Sequence, residues 1–286
     1  MAAGAALLQV ADYCPRAEEP IKLRVVSDLL VKPVRVGDRL TEAIEVDIGP
    51  RLVLLHHDFR TPKPDRIPGA LEIDAFARVS IGVDEGAVIA QFESARAQYR
   101  PFTTLLAFFL APAAERLGEL WRLDECDFVD VTVGVGRLQT LMDRAASEET
   151  SSTVDARRRA MLIALPGETH LFGMQMVAKF LESTGWSVIV ERSRFVEETA
   201  EAAAREWIGI VGLTVSSASR LELAAATIAA IRRRSANRKV GIMVGGAAFA
   251  EDPALAARIG ADAAGSDASS AALLAAHLLR RQSASA

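Results

Sequence analysis

Pro166-Gly167-Glu168-Thr169-His170-Leu171-Phe172-Gly173 joins a short apolar run, residues 161–165, to an amphipathic run that begins at Leu171. That order predicts a strand, a loop and a helix. A loop leaving the carboxyl end of a parallel strand is where open α/β sheets bind ligands. This one carries His170 two residues after Glu168, a metal ligand with a carboxylate to orient it.

Downstream, the same alternation repeats. The apolar run 188–190 precedes a helical pattern over about 196–207, and 208–213 precedes one over about 221–233. Residues 240–244 are followed by a helix around 253–259, and 261–264 by one from about 267 to 281. Together with 161–165 this makes five βα units, which predict a doubly wound, flavodoxin-like parallel sheet over residues 160–286. With strand order 2-1-3-4-5 the first and third strands flank the switch point, so the loops 167–172 and 214–219 face each other across one crevice. The fourth strand delivers Gly245-Gly246-Ala247-Ala248 beside them.

Upstream lies a polar linker, 146–159, within the stretch AASEETSSTVDARRR, which has almost nothing to bury. Before it, residues 73–145 read as a helical-bundle cap domain. Phe76, Val79, Val83, Val88, Ile89 and Phe92, then Phe102, Leu105, Leu106, Phe109 and Leu110, recur at three and four residues. Pro112 sits inside such a run, so the helix either restarts with the proline in its first turn or kinks there. A further helix is expected over 128–142, with Val131, Val135, Leu138 and Leu141 at core spacing. Residues 1–72 form an arm without clear period, apart from a helix expected to end near Phe59 before Pro62, Pro64 and Pro68.

Composition excludes several classes. The 286 residues are 50% hydrophobic, enough for real cores, and 33 basic against 37 acidic side chains leave a net charge of −4, with no electrostatic footprint for nucleic acid. Cys14 and Cys126 are too few for a disulfide framework. The chain shows neither a signal-peptide pattern nor a run of membrane-spanning length, so a cytoplasmic location is expected.

The crevice can be tested against familiar occupants. A dinucleotide site needs G-x-G-x-x-G after the first strand, and Glu168 would repel a pyrophosphate there. A phospho-receiver needs an aspartate at the end of the third strand, where this chain has Thr214-Val215-Ser216, and the G-x-S-x-G elbow of a serine nucleophile is missing. A metal-containing ligand held by His170 remains. No paired general acid and base can be located, so no enzyme is expected.

These residues resemble the cobalamin-binding domains of methionine synthase, mutases and B12-dependent regulators, whose motif is D-x-H-x-x-G, then S-x-L, then G-G. Glu168-Thr169-His170-Leu171-Phe172-Gly173 matches with Glu for Asp, Thr214-Val215-Ser216 takes the second position in altered form, and Gly245-Gly246 the third. The run Leu117-Gly118-Glu119-Leu120-Trp121, with Asp127-Phe128-Val129-Asp130-Val131-Thr132, is most similar to antirepressors of the AerR/PpaA type. Light-sensing repressors of the CarH type carry Glu-His where this chain has Val131-Thr132.

The resemblance implies that His170 is the lower axial ligand to cobalt, with Glu168 accepting from its other ring nitrogen. It implies that Gly245 and Gly246 leave a slot for the nucleotide tail, that Thr214, Ser216 or Ser217 bond the tail's ring, that Gly173 lets the first helix approach closely, and that Trp121 caps the corrin. Bland readings stand beside these: Ser217 as a helix cap, Gly245-Gly246 as a turn, Trp121 as core, His56 and His57 as surface or core, and His277 as structural. The expected function is a light- or redox-responsive transcriptional regulator of the antirepressor type. It would hold adenosylcobalamin or hydroxocobalamin and act through a DNA-binding repressor of the PpsR/CrtJ type. The alternatives are a corrinoid carrier subunit of a methyltransferase and a haem-binding sensor using the same pocket.

Overall fold

Five strands, β1 (Arg159–Ala164), β2 (Ser187–Glu191), β3 (Ile210–Thr214), β4 (Gly241–Gly245) and β5 (Ala263–Gly265), pair in parallel in the order β2-β1-β3-β4-β5. This is the doubly wound sheet, with the switch point between β1 and β3. The computed structural model describes residues 66–148, 156–168, 171–192, 195–249 and 252–284. Cys14, His56, His57, the helix expected near Phe59, Thr169 and His170 lie outside the described residues. No helix among the described residues is long and apolar enough to cross a membrane.

The central strands are apolar on both sides because both faces are covered. Ala160, Leu162 and Ala164 of β1, with Ile210 and Met243, face α6 (Phe172–Ser183) and α10 (Ala268–Ala284). Met161, Ile163, Val211, Leu213, Ile242 and Val244 face α7 (Val196–Arg205) and α8 (Leu221–Arg234). A short α9 (Leu255–Arg258) connects β4 to β5. The ladders of β3 and β4 begin at Ile210 and Gly241, later than the apolar runs suggest, because Ile208 and Val240 are buried while approaching the sheet.

The bundle is built from α1 (Ala70–Ile81), α2 (Glu85–Gln98), α3 (Phe102–Leu105), α4 (Ala111–Arg122) and α5 (Phe128–Ser147). Phe76, Phe92, Tyr99, Phe109, Leu117 and Leu138 are fully buried at its centre. Val83 keeps the helical spacing in sequence but sits between α1 and α2, fully exposed. Pro112 stands in the first turn of α4, one of the two placements expected, without a sharp break. A π turn over Leu106–Leu110, closed by Ala111 N–H to Leu106 O, joins α3 to α4 immediately before it. A widened turn there accommodates a residue with no amide to donate. α5 begins at a capping box in which Asp127 and Asp130 each accept the other's backbone N–H. It continues past Met142 to Ser147 because Ala145 is buried and Arg96 of α2 reaches Glu148.

The two halves share one core. Bundle residues such as Leu105, Leu138 and Met142 belong to the same buried cluster as Met174, Phe180 and Leu181 of α6 and the inner face of the sheet. At the surface of this contact, Lys179 of α6 meets Asp143 of α5 at 3.4 Å and Glu182 at 3.2 Å.

Candidate functional site

The strand register aligns Ala164, Thr214, Gly245 and Gly265 in one row at the carboxyl ends of β1, β3, β4 and β5. Ala164 lies on the sheet face that looks toward α6 and α10. The largest side chain in the row is a threonine, so the sheet offers a shallow, narrow floor there with one hydroxyl.

The loop after β1 opens with a tight turn. Glu168 N–H donates to Leu165 O at 2.8 Å, and Gly167 has φ of 77°. Pro166 at the second position and a glycine with positive φ at the third are the requirements of a type II turn. Glu168 then reaches across the switch point: its Oε2 accepts the backbone N–H of Ser216 at 3.2 Å. The carboxylate therefore links the two facing loops.

A second link was not anticipated. Arg220, 54 and 53 residues further along, donates from Nη1 to Pro166 O at 2.8 Å and from Nη2 to Gly167 O at 2.7 Å. Arg220 is the N-cap of α8, where a cation opposes the helix dipole, and the two carbonyl oxygens offset that placement. Ser217 takes the bland role: its Oγ accepts Ser219 N–H at 3.3 Å and caps the short turn before α8. Thr214 and Ser216 are half-buried at the mouth.

Gly246 requires a correction. Its φ is 107°, and a Cβ added there would lie 2.4 Å from Val215 O. The side-chain space is thus filled by the loop after β3, which is itself tied to β4 by Val215 N–H to Gly245 O at 2.9 Å. Gly246 permits backbone to meet backbone rather than clearing a slot. Gly245 differs, since a Cβ there would meet only Gly265 O at 3.4 Å, an ordinary contact. At Gly173 a Cβ would meet nothing within 4 Å among the described residues. Leu171 and Phe172 are half-buried against the core shared with the bundle.

Trp121 lies half-buried in the last turn of α4, on the bundle rather than in the loop cluster. The same helix carries a residue the motifs did not flag. Burial, with Glu119 and Asp267 adding repulsion, pushes the Glu115 carboxyl from 4.5 up to about 7. Asp267 caps α10, accepting Ser270 N–H at 2.8 Å, so Glu115 brings the bundle's charge to the β5 side of the mouth. Cys126 is half-buried, and burial together with Asp130, Asp127 and Glu125 pushes its thiol up, toward the unreactive protonated form. His277 of α10 is pushed toward the neutral form by burial and by Arg281 and Arg280.

Comparison with known proteins agrees with this geometry. Residues 158–274 match the B12 binding domain. The chain is 28% identical over 173 residues to an uncharacterized 20.5 kDa protein of Rhodobacter capsulatus from the bchF–crtJ intergenic region, covering 60% of this chain and 90% of that one. Its fold is similar to that of the monomethylamine corrinoid protein of Methanosarcina barkeri, with a TM-score of 0.59 at 16% identity, over 73% of this chain and 98% of that structure.

Proposed function

We propose that this chain, whose residues 158–274 match the B12 binding domain, is a cobalamin-holding regulator of the antirepressor type that acts through a partner DNA-binding repressor. The observation that carries the reading is the mouth itself. The loops after β1, β3 and β4 converge on a floor of Ala164, Thr214, Gly245 and Gly265. That shape fits a flat ring with a narrow tail. His170 would hold the metal from the loop whose start Glu168 fixes, Thr214 would offer its hydroxyl to the tail, and Gly245 would leave the tail room.

When bound, adenosylcobalamin supplies a bond between cobalt and carbon that visible light breaks. The chain's contribution is to pack a bundle against the same domain. Support for regulation comes from the relative encoded between bchF and crtJ, in a photosynthesis gene cluster, and from a shared core through which the site's state can reach the bundle surface.

A second reading, a corrinoid carrier for a methyltransferase, is favoured by the likeness to the monomethylamine corrinoid protein. One experiment orders these readings. Protein incubated separately with adenosylcobalamin, hydroxocobalamin and haemin is desalted and its absorption spectrum recorded. Corrin bands that change on illumination, together with dark–light differences in binding a PpsR/CrtJ-type repressor, support the regulator. A Soret band without corrin bands overturns the cobalamin assignment. Methyl transfer with a partner methyltransferase and no light-dependent repressor binding favours the carrier.

A further inference from the structure

We infer that Arg220 is a positioning residue for the cofactor, holding the turn at residues 165–168 after β1 in place before any ligand arrives; this rests on the cobalamin reading above. The turn at residues 165–168 leads directly into 169–171, so its pose sets where that segment starts. Three donors from the segment 216–220 hold it: the two η nitrogens of Arg220 on Pro166 O and Gly167 O at 2.8 and 2.7 Å, and Ser216 N–H on Glu168 Oε2 at 3.2 Å.

A guanidinium suits this task because its planar fork serves two oxygens at once with charge-assisted bonds, whereas an ammonium presents a single point of charge. The clasp is also anchored at its own end. Arg220 N–H donates to Ser217 O at 3.0 Å, and Arg220 opens α8, whose Ala224 and Ile228 are buried. The space above Gly167 matches: a Cβ there would lie 3.4 and 3.5 Å from the two η nitrogens, so the guanidinium packs directly over the glycine. A turn fixed in this way does not have to be ordered when the ligand binds, which raises affinity without a new contact to the ligand.

The test uses the full chain titrated in the dark with hydroxocobalamin and followed by absorbance, for wild type, Arg220→Ala and Arg220→Lys, with melting of the unliganded proteins measured in parallel. The alanine variant should bind about tenfold or more weakly, and the lysine variant should fall between it and wild type. The spectrum at saturation should stay that of wild type, since no group that would touch cobalt has changed. Unliganded melting should move by less than about 4 °C. Unchanged affinity in Arg220→Ala overturns the inference while leaving the cobalamin reading intact. Collapse of the fold in both variants also overturns it, because Arg220 is then a structural anchor. Wild type that gives no corrin spectrum overturns the reading and the inference together.

Discussion

Replacing Glu115 by Gln removes a carboxylate that the fold penalises. Its pKa rises from 4.5 to about 7, about 2.5 units, and at about 1.4 kcal/mol per unit the full linkage is about 3.4 kcal/mol. Residual solvent around this half-buried group screens part of that, leaving about 2 kcal/mol. The sign follows from the direction. A folded pKa above the unfolded one means that the protonated acid stabilises the fold, so this contribution is fully present below 4.5 and is lost as pH rises through about 7. Urea unfolding of both proteins between about pH 5 and 8 should therefore show the Glu115→Gln variant gaining on wild type as pH rises, to about 2 kcal/mol at the top of the range. Taking the difference cancels shared groups that do not act on Glu115, His277 among them. A gap that does not change with pH, or a variant less stable at the alkaline end, would refute a carboxyl held out of water opposite Glu119 and Asp267.

Gly246→Ala should cost about 2–5 kcal/mol in denaturant unfolding of the unliganded protein, from the positive φ and the overlap with Val215 O together. Gly245→Ala should cost less than about 1 kcal/mol, and equal losses at the two sites would show that the backbone approach at Gly246 is not what selects glycine. Asp127→Ala removes one half of the α5 capping box and should lower stability by about 1 kcal/mol in the same assay. A neutral result there would mean that the box is not formed in solution.

The sheet was legible because its signals are local and redundant. The runs around Leu162, Val211 and Ile242 are apolar on both faces, as only a covered parallel strand needs to be, and each is followed by a helical period that fixes the crossover. The site was legible as a set of loops but not as a set of roles. Gly245 and Gly246 look alike in sequence, yet a Cβ on the first would meet a carbonyl oxygen at 3.4 Å, an ordinary contact, and on the second one at 2.4 Å, an overlap made by Val215 in the loop after β3. Glu168 read as a partner for His170, and its contact with Ser216 N–H depends on how far the β3 loop reaches across the crevice, which no spacing records. Arg220 is the sharpest case: without the fold, a charged residue at a helix start reads as solvated. At Pro112 the first-turn placement was legible, but the π turn that leads into it was not, because a widened turn and a kink relieve the same crowding.

α6 starts beside the ligand loop and ends beneath the bundle, and along its length it is gripped from both sides. Met174, Phe180 and Leu181 sit in the shared core, and Lys179 is fastened to Asp143. Twelve helical residues make a rod of about 18 Å, stiff over that distance. A rod of that stiffness joins two places that the chain keeps far apart in sequence: a displacement of Phe172 would be carried to the contact with α5 rather than absorbed within α6.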